Sequence, residues 1–140
     1  MRRVIATLLA LAAPVFAHAA IVPLSATLSP GAEVPPVRNS SGHGEAALAL
    51  DTASRRLTWH VTYGGLTGDA FMGHLHGPAT ETAAAPITVP FPLLASPIDG
   101  AATLSDSQMA DLLAGRWYVN IHTRANEAGE IRGQIRRRDQ

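Results

Sequence analysis

Histidine is the residue of this sequence best suited to chemistry, and two of the six stand together as His74-Leu75-His76. Side chains of an extended strand repeat every two residues, so both imidazoles project from one face about 6–7 Å apart, with Met72 on the same side. Two imidazoles so placed can share one metal ion. A metal site needs three or four converging ligands, and imidazole, joined by a carboxylate or thioether, suits zinc or copper. His74, His76 and His122 form the best trio, with Glu130, His60 and Met72 as weaker candidates. The thioether of Met72 would matter only for copper in its reduced state. The plainer alternative is that histidines on the polar face of a strand are simply solvated or hydrogen-bonded groups ahead of a Gly-Pro turn.

Other chemistries find little support. The chain has no cysteine and no Gly-x-Ser-x-Gly turn, and Gly42-His43-Gly44 is too short for a phosphate-binding loop and lacks its Lys and Ser/Thr. No residue set identifies a catalytic machinery, and whether the chain is an enzyme stays open.

The histidines must be positioned by strands. Leu57, Trp59, Val61 and Tyr63 alternate with Thr58, His60 and Thr62, and Phe71, Gly73 and Leu75 alternate with Met72, His74 and His76. If these two strands pair, His60 shares the His74/His76 side. Trp117, Val119 and Ile121 alternate with Tyr118, Asn120 and His122. After a loop at 123–129, Ile131, Gly133 and Ile135 alternate with Glu130, Arg132, Gln134 and Arg136, which makes a C-terminal hairpin with His122 near Glu130 on its polar face. Earlier strands are expected at 21–28 and 45–50, separated by a long loop over 29–44. Ile87–Leu94 reads as an edge or irregular strand because of Pro90 and Pro92. Ser105 and Gln108 make a capping box for one short helix over 106–114, with Gly115 as its stop. Short strands with close turn signals predict a mostly β antiparallel sandwich or barrel with that helix inserted.

Arg2 and Arg3 precede an apolar run from Val4 to Phe16, and Ala17-His18-Ala19 supplies small residues where a signal peptidase cleaves. Residues 1–19 therefore read as a secretory signal peptide and 20–140 as one domain, secreted or periplasmic. The run of about 13 residues falls short of the roughly 20 needed to span a bilayer, so no transmembrane segment is expected. Without Arg2 and Arg3, 9 arginines face 11 acidic residues, which suggests neither nucleic acid nor an anionic membrane as partner. Arg132, Arg136, Arg137 and Arg138 read as a solvated end. Stability without disulfides must come from packing and strand pairing.

Four motifs follow in order: Glu33-Val34-Pro35-Pro36-Val37, Gly73-His74-Leu75-His76-Gly77-Pro78-Ala79, Tyr118-Val119-Asn120-Ile121-His122-Thr123 and Gly129-Glu130-Ile131-Arg132-Gly133-Gln134. Together they resemble the CHRD (chordin) domain over about residues 24–137. The resemblance implies an all-β domain, used in the animal growth-factor antagonist chordin and in exported microbial proteins, of which this would be a single-domain bacterial-type member. It also implies that His74, His76, Asn120, His122, Glu130 and Arg132 belong to a shared signature. Glu130 and Arg132 could pair as ions on one strand face. A fainter similarity is to copper-zinc superoxide dismutase, although the zinc-loop histidines and the disulfide are missing here. Three function classes stay open: an exported binding domain holding copper or zinc on the histidine cluster, a redox metalloenzyme of superoxide-dismutase-like type, and a structural or protein-interaction module without metal.

Overall fold

Residues 20–138 are described by a computed structural model, and the leader expected at 1–19 lies outside the described residues. In chain order the elements are β1 (Ile21–Leu28), a 3-10 turn (Pro30–Ala32), β2 (His43–Asp51), β3 (Arg56–Gly64), β4 (Ala70–His76), β5 (Ile87–Pro90), β6 (Ile98–Thr103), the helix α1 (Asp106–Leu113), β7 (Tyr118–Thr123), β8 (Asn126–Gln134) and β9 (Arg136–Arg137). They form two antiparallel sheets, ordered β6-β3-β2-β1-β9 and β5-β4-β7-β8, in a sandwich rather than a closed barrel.

Strict alternation builds the first sheet. Leu57, Trp59 and Val61 of β3 turn inward between exposed Thr58, His60 and Thr62, and β1 and β2 repeat the pattern. The second sheet answers with Leu75, Val119, Ile121 and Ile131, and the two inner faces share one core. Each large aliphatic side chain removed from water stabilises by about 1.5–3 kcal/mol, which is how a chain without cysteine holds a sandwich. The helix begins as expected, with Ser105 Oγ accepting from Gln108 N and Gln108 Oε1 accepting from Ser105 N. It caps the connection from β6 to β7 and buries Leu112.

Two expectations are corrected here. β3 and β4 are not neighbours: β3 lies between β2 and β6, and β4 between β5 and β7. Residues 65–69 carry the chain from one sheet to the other, with Leu66 packed on the core, so no hairpin aligns His60 with His74. The loop expected at 123–129 is mostly strand, because β8 resumes at Asn126.

The sheets differ in their outer faces. Outside the first sheet the side chains meet solvent, whereas every residue of β7 is buried on both sides. The outer face of the second sheet is polar, and the segment 77–86 and the loop after β1 roof it. Gln134 Nε2 donates to Ala79 O at 2.8 Å and Arg132 Nη2 to Thr80 O at 2.9 Å. Ser29 and Arg132 exchange backbone bonds of 3.0 and 3.1 Å, which tie the β1 loop to β8.

Candidate metal centre

Paired residues of antiparallel strands point the same way. The register His74↔Asn120 and His76↔Tyr118 therefore sets His74, His76, Tyr118, Asn120 and His122 on the roofed outer face. Leu75, Val119 and Ile121 between them face the core, which makes both strands rigid supports. His122 stands diagonally across from His74, and ring centroids are 5.0 Å apart for that pair, 5.3 Å for His74–His76 and 6.3 Å for His76–His122. One ligand nitrogen from each of the three lies within 4.8 Å of the others. The expected solvated face is thus buried, each imidazole residue being only 6–8 % exposed.

Backbone carbonyls fix two of the rings. His76 Nδ1 stands 3.0 Å from Ala85 O and His122 Nδ1 stands 2.8 Å from Glu127 O. A carbonyl only accepts, so each Nδ1 carries the proton and each Nε2 presents a lone pair. His122 Nε2 lies 3.2 Å from His74 Nδ1. That separation is close to the about 3.3 Å expected of two nitrogens bound at 2.0–2.1 Å to one tetrahedral ion. His76 Nε2 is buried and has no hydrogen-bond partner among the described residues. Burial pushes all three imidazoles toward the neutral form; His74 falls to about 4, helped by the neighbouring His122 and His76. Neutral imidazole is the form that binds a metal.

Sequence reasoning missed the residues that hold this trio. Tyr118 stacks on His76 with centroids 4.7 Å apart and planes 4° from parallel, and the Arg132 guanidinium lies 3.6 Å from the Tyr118 ring centre. Because β7 lies between β4 and β8, the two reach Tyr118 from opposite sides. The Tyr118 hydroxyl accepts from Ala85 N at 3.1 Å and donates to Ala85 O at 3.4 Å, so it clamps the peptide that orients His76. Asn120 Nδ2 donates to buried Glu33 Oε1 at 2.5 Å. Gly129 makes room there: its φ is +132°, and a Cβ would stand 2.4 Å from Asn120 Nδ2 and 2.6 Å from Glu33 Oε1. The sequence signalled these positions through the polar alternation Tyr118-x-Asn120-x-His122 and through the family motifs that contain Glu33, Tyr118, Asn120, Gly129 and Arg132, neither of which indicates what each residue touches.

The weaker candidates lie elsewhere. His60 is on the outer face of the first sheet, 2.7 Å from Asp99 and half exposed. Glu130 is not among the converging groups and does not pair with Arg132. It accepts from Ser40 Oγ (2.5 Å), Thr67 N (2.8 Å), Thr67 Oγ1 (2.6 Å), Asn126 Nδ2 (3.3 Å) and Thr123 Oγ1. Met72 faces His122 in the register but stays at the rim, 36 % exposed. Arg132, expected at a solvated end, is buried because its strand lies under the roof.

The sheet order and this outer-face cluster define a mostly β sandwich domain with three imidazoles gathered at metal-ligand spacing. The CHRD domain family matches residues 24–135, from β1 to the end of the last hairpin, and the chain belongs to that family. No curated protein and no solved structure matches it.

Proposed function

We propose that this CHRD domain is an exported binding protein that holds one zinc or copper ion on His74, His76 and His122. The observation that carries the reading is His76 Nε2, a buried lone pair without a donor among the described residues, within an imidazole trio. Leaving such a group unsatisfied costs about 1–3 kcal/mol, and coordination removes that cost. Carbonyl bonds to the far nitrogen of two ligands are the usual way in which a metal site fixes ring orientation. Three protein donors leave one tetrahedral position to an outside ligand. The Arg2-Arg3 flank, the apolar run and Ala17-His18-Ala19 support export.

Calorimetric titration with Zn²⁺ and Cu²⁺ tests the proposal. Wild type should bind one equivalent, and His122→Ala should lose two or more orders of magnitude in affinity with an unchanged circular dichroism spectrum. Burial holds all three imidazoles below the 6.5 of free histidine, so affinity should persist through pH 6.5 and fall toward pH 4. Equal affinity in both proteins, or binding in neither, ends the metal reading and leaves the interaction module.

A further inference from the structure

A cleft of about 660 Å³ opens beside the roofed face between the loop after β1 and residues 81–82. Its size is that of a small-molecule site. Ala32, Val34 and Pro36 form an apolar wall, and Glu33, Glu81, Arg132, Gln134 and Arg136 supply the polar groups. Arg136 and Glu81 are already an ion pair, so they cancel. Arg132 is different. It is 2 % exposed and lies against the Tyr118 ring, yet its hydrogen bonds go from Nη2 to two neutral oxygens, Thr80 O and Gln134 Oε1, and no carboxylate lies within 4.0 Å of it among the described residues. A buried guanidinium ordinarily has an anion in direct contact, because desolvating a charge without one is costly, whereas Glu33, the carboxyl that Arg132 influences from across the cleft, stands beyond ion-pair distance.

We propose that this cleft is a binding site for a small monocarboxylate, whose carboxylate pairs with Arg132 and whose short apolar tail lies on Ala32, Val34 and Pro36. The planar fork of arginine matches a carboxylate in two parallel hydrogen bonds. Glu33 stands in the same cleft and would oppose an anion, but burial raises its carboxyl to about 7, so at pH 6, where the site is tested, it is mostly protonated and neutral. With Glu33 neutral and Arg136 paired, a single positive charge remains. This charge balance favours a monoanion over a phosphate dianion.

Hexanoate, hexanamide and inorganic phosphate are titrated into ¹⁵N-labelled protein at pH 6 and followed by NMR, with chelator present so that the outcome is independent of the histidine site. Hexanoate should shift the Arg132 side-chain Nε–H and the amides of Gly31, Ala32 and Thr82 saturably, and hexanamide should not. Val34 is partly exposed at the cleft wall, so Val34→Asp should leave the remaining spectrum intact while weakening hexanoate at least tenfold by like-charge repulsion. Arg132→Gln, with its melting temperature measured alongside, should abolish the response. Absence of saturable shifts, equal shifts from hexanamide, or full affinity in folded Val34→Asp overturns the site. Saturation by phosphate and not hexanoate overturns the monocarboxylate assignment.

Discussion

Glu130 and Glu33 are both buried carboxylates of the outer layer, and their protons behave in opposite ways. Burial pushes the Glu130 carboxyl up, but the hydrogen bonds from Ser40, Thr123 and Thr67 together outweigh it and bring it down to about 2. Glu33 is raised to about 7 by burial, against which Arg132, Asn120 and the Val34 amide offer less. Donor number decides the difference: Glu130 accepts five hydrogen bonds from loops and hairpin, without a cation. It therefore fastens the 40–42 and 65–69 segments to β8. In Glu130→Gln one end of the amide must face hydroxyls and an N–H as a donor, and hydrogen bonds to a charged group are worth about 1.5–3 kcal/mol. Urea denaturation at pH 7 should show a loss on that order. A depressed carboxyl stabilises the fold above its unfolded value of 4.5, and the benefit disappears as pH falls toward 2. The gap between wild type and variant should therefore close over that range. A gap that stays constant down to pH 2 would mean that shape, not charge, was lost.

At the scale of elements, the roof over the second sheet decides whether the trio is a site or a solvated stripe. Its residues act mainly through carbonyls: Ala79 O, Thr80 O and Ala85 O accept from Gln134, Arg132, His76 and Tyr118. Tyr118→Phe keeps the ring between His76 and Arg132 but removes both hydroxyl contacts with Ala85. Loss of such outer support typically costs 10–100-fold in metal affinity. Chelator competition should find a weakening of about tenfold, with a small drop in melting temperature. An unchanged affinity would reduce the hydroxyl to a structural role. The same roof marks the limit of what the sequence made legible. Alternation in β3, β4, β7 and β8 was enough to place strands and faces and to put His74 and His76 on one side, since side-chain period follows from backbone geometry, whereas the convergence of His122 with them needed the β4–β7 pairing. Alternation cannot say which strand lies beside which, so His60 was grouped with a sheet it does not join. Nor can it signal a roof whose working atoms are backbone oxygens of Ala79, Thr80 and Ala85, because no residue type announces them.

For the whole molecule, the outer layer makes folding stability depend on pH through two opposed sets of groups. His74 is held at about 4 against 6.5 in the unfolded chain, and His76 and His122 are lowered as well. The unfolded state takes up protons first, so this contribution is present above pH 6.5 and is lost as pH falls toward 4. Glu33 runs the other way: its carboxyl is raised from 4.5 to about 7, so the folded state binds the proton first. Its contribution is full below pH 4.5 and is lost as pH rises through 7, a change on the order of 3 kcal/mol. Between pH 4.5 and 6.5 the two slopes oppose each other, and metal-free wild type should have a flattened profile there, with a decline from pH 6.5 that levels off near pH 8. Glu33→Gln removes one slope and leaves the other. Whatever constant offset the substitution brings through Arg132 and Asn120, the variant's urea midpoint should rise more steeply from pH 4.5 to 6.5 and should not decline from 6.5 to 8. Measurements are made with chelator, since bound metal would add its own pH dependence. Parallel profiles for the two proteins would show that Glu33 is not the group titrating near 7, and would remove the neutral carboxyl on which a monoanion in the adjacent cleft depends.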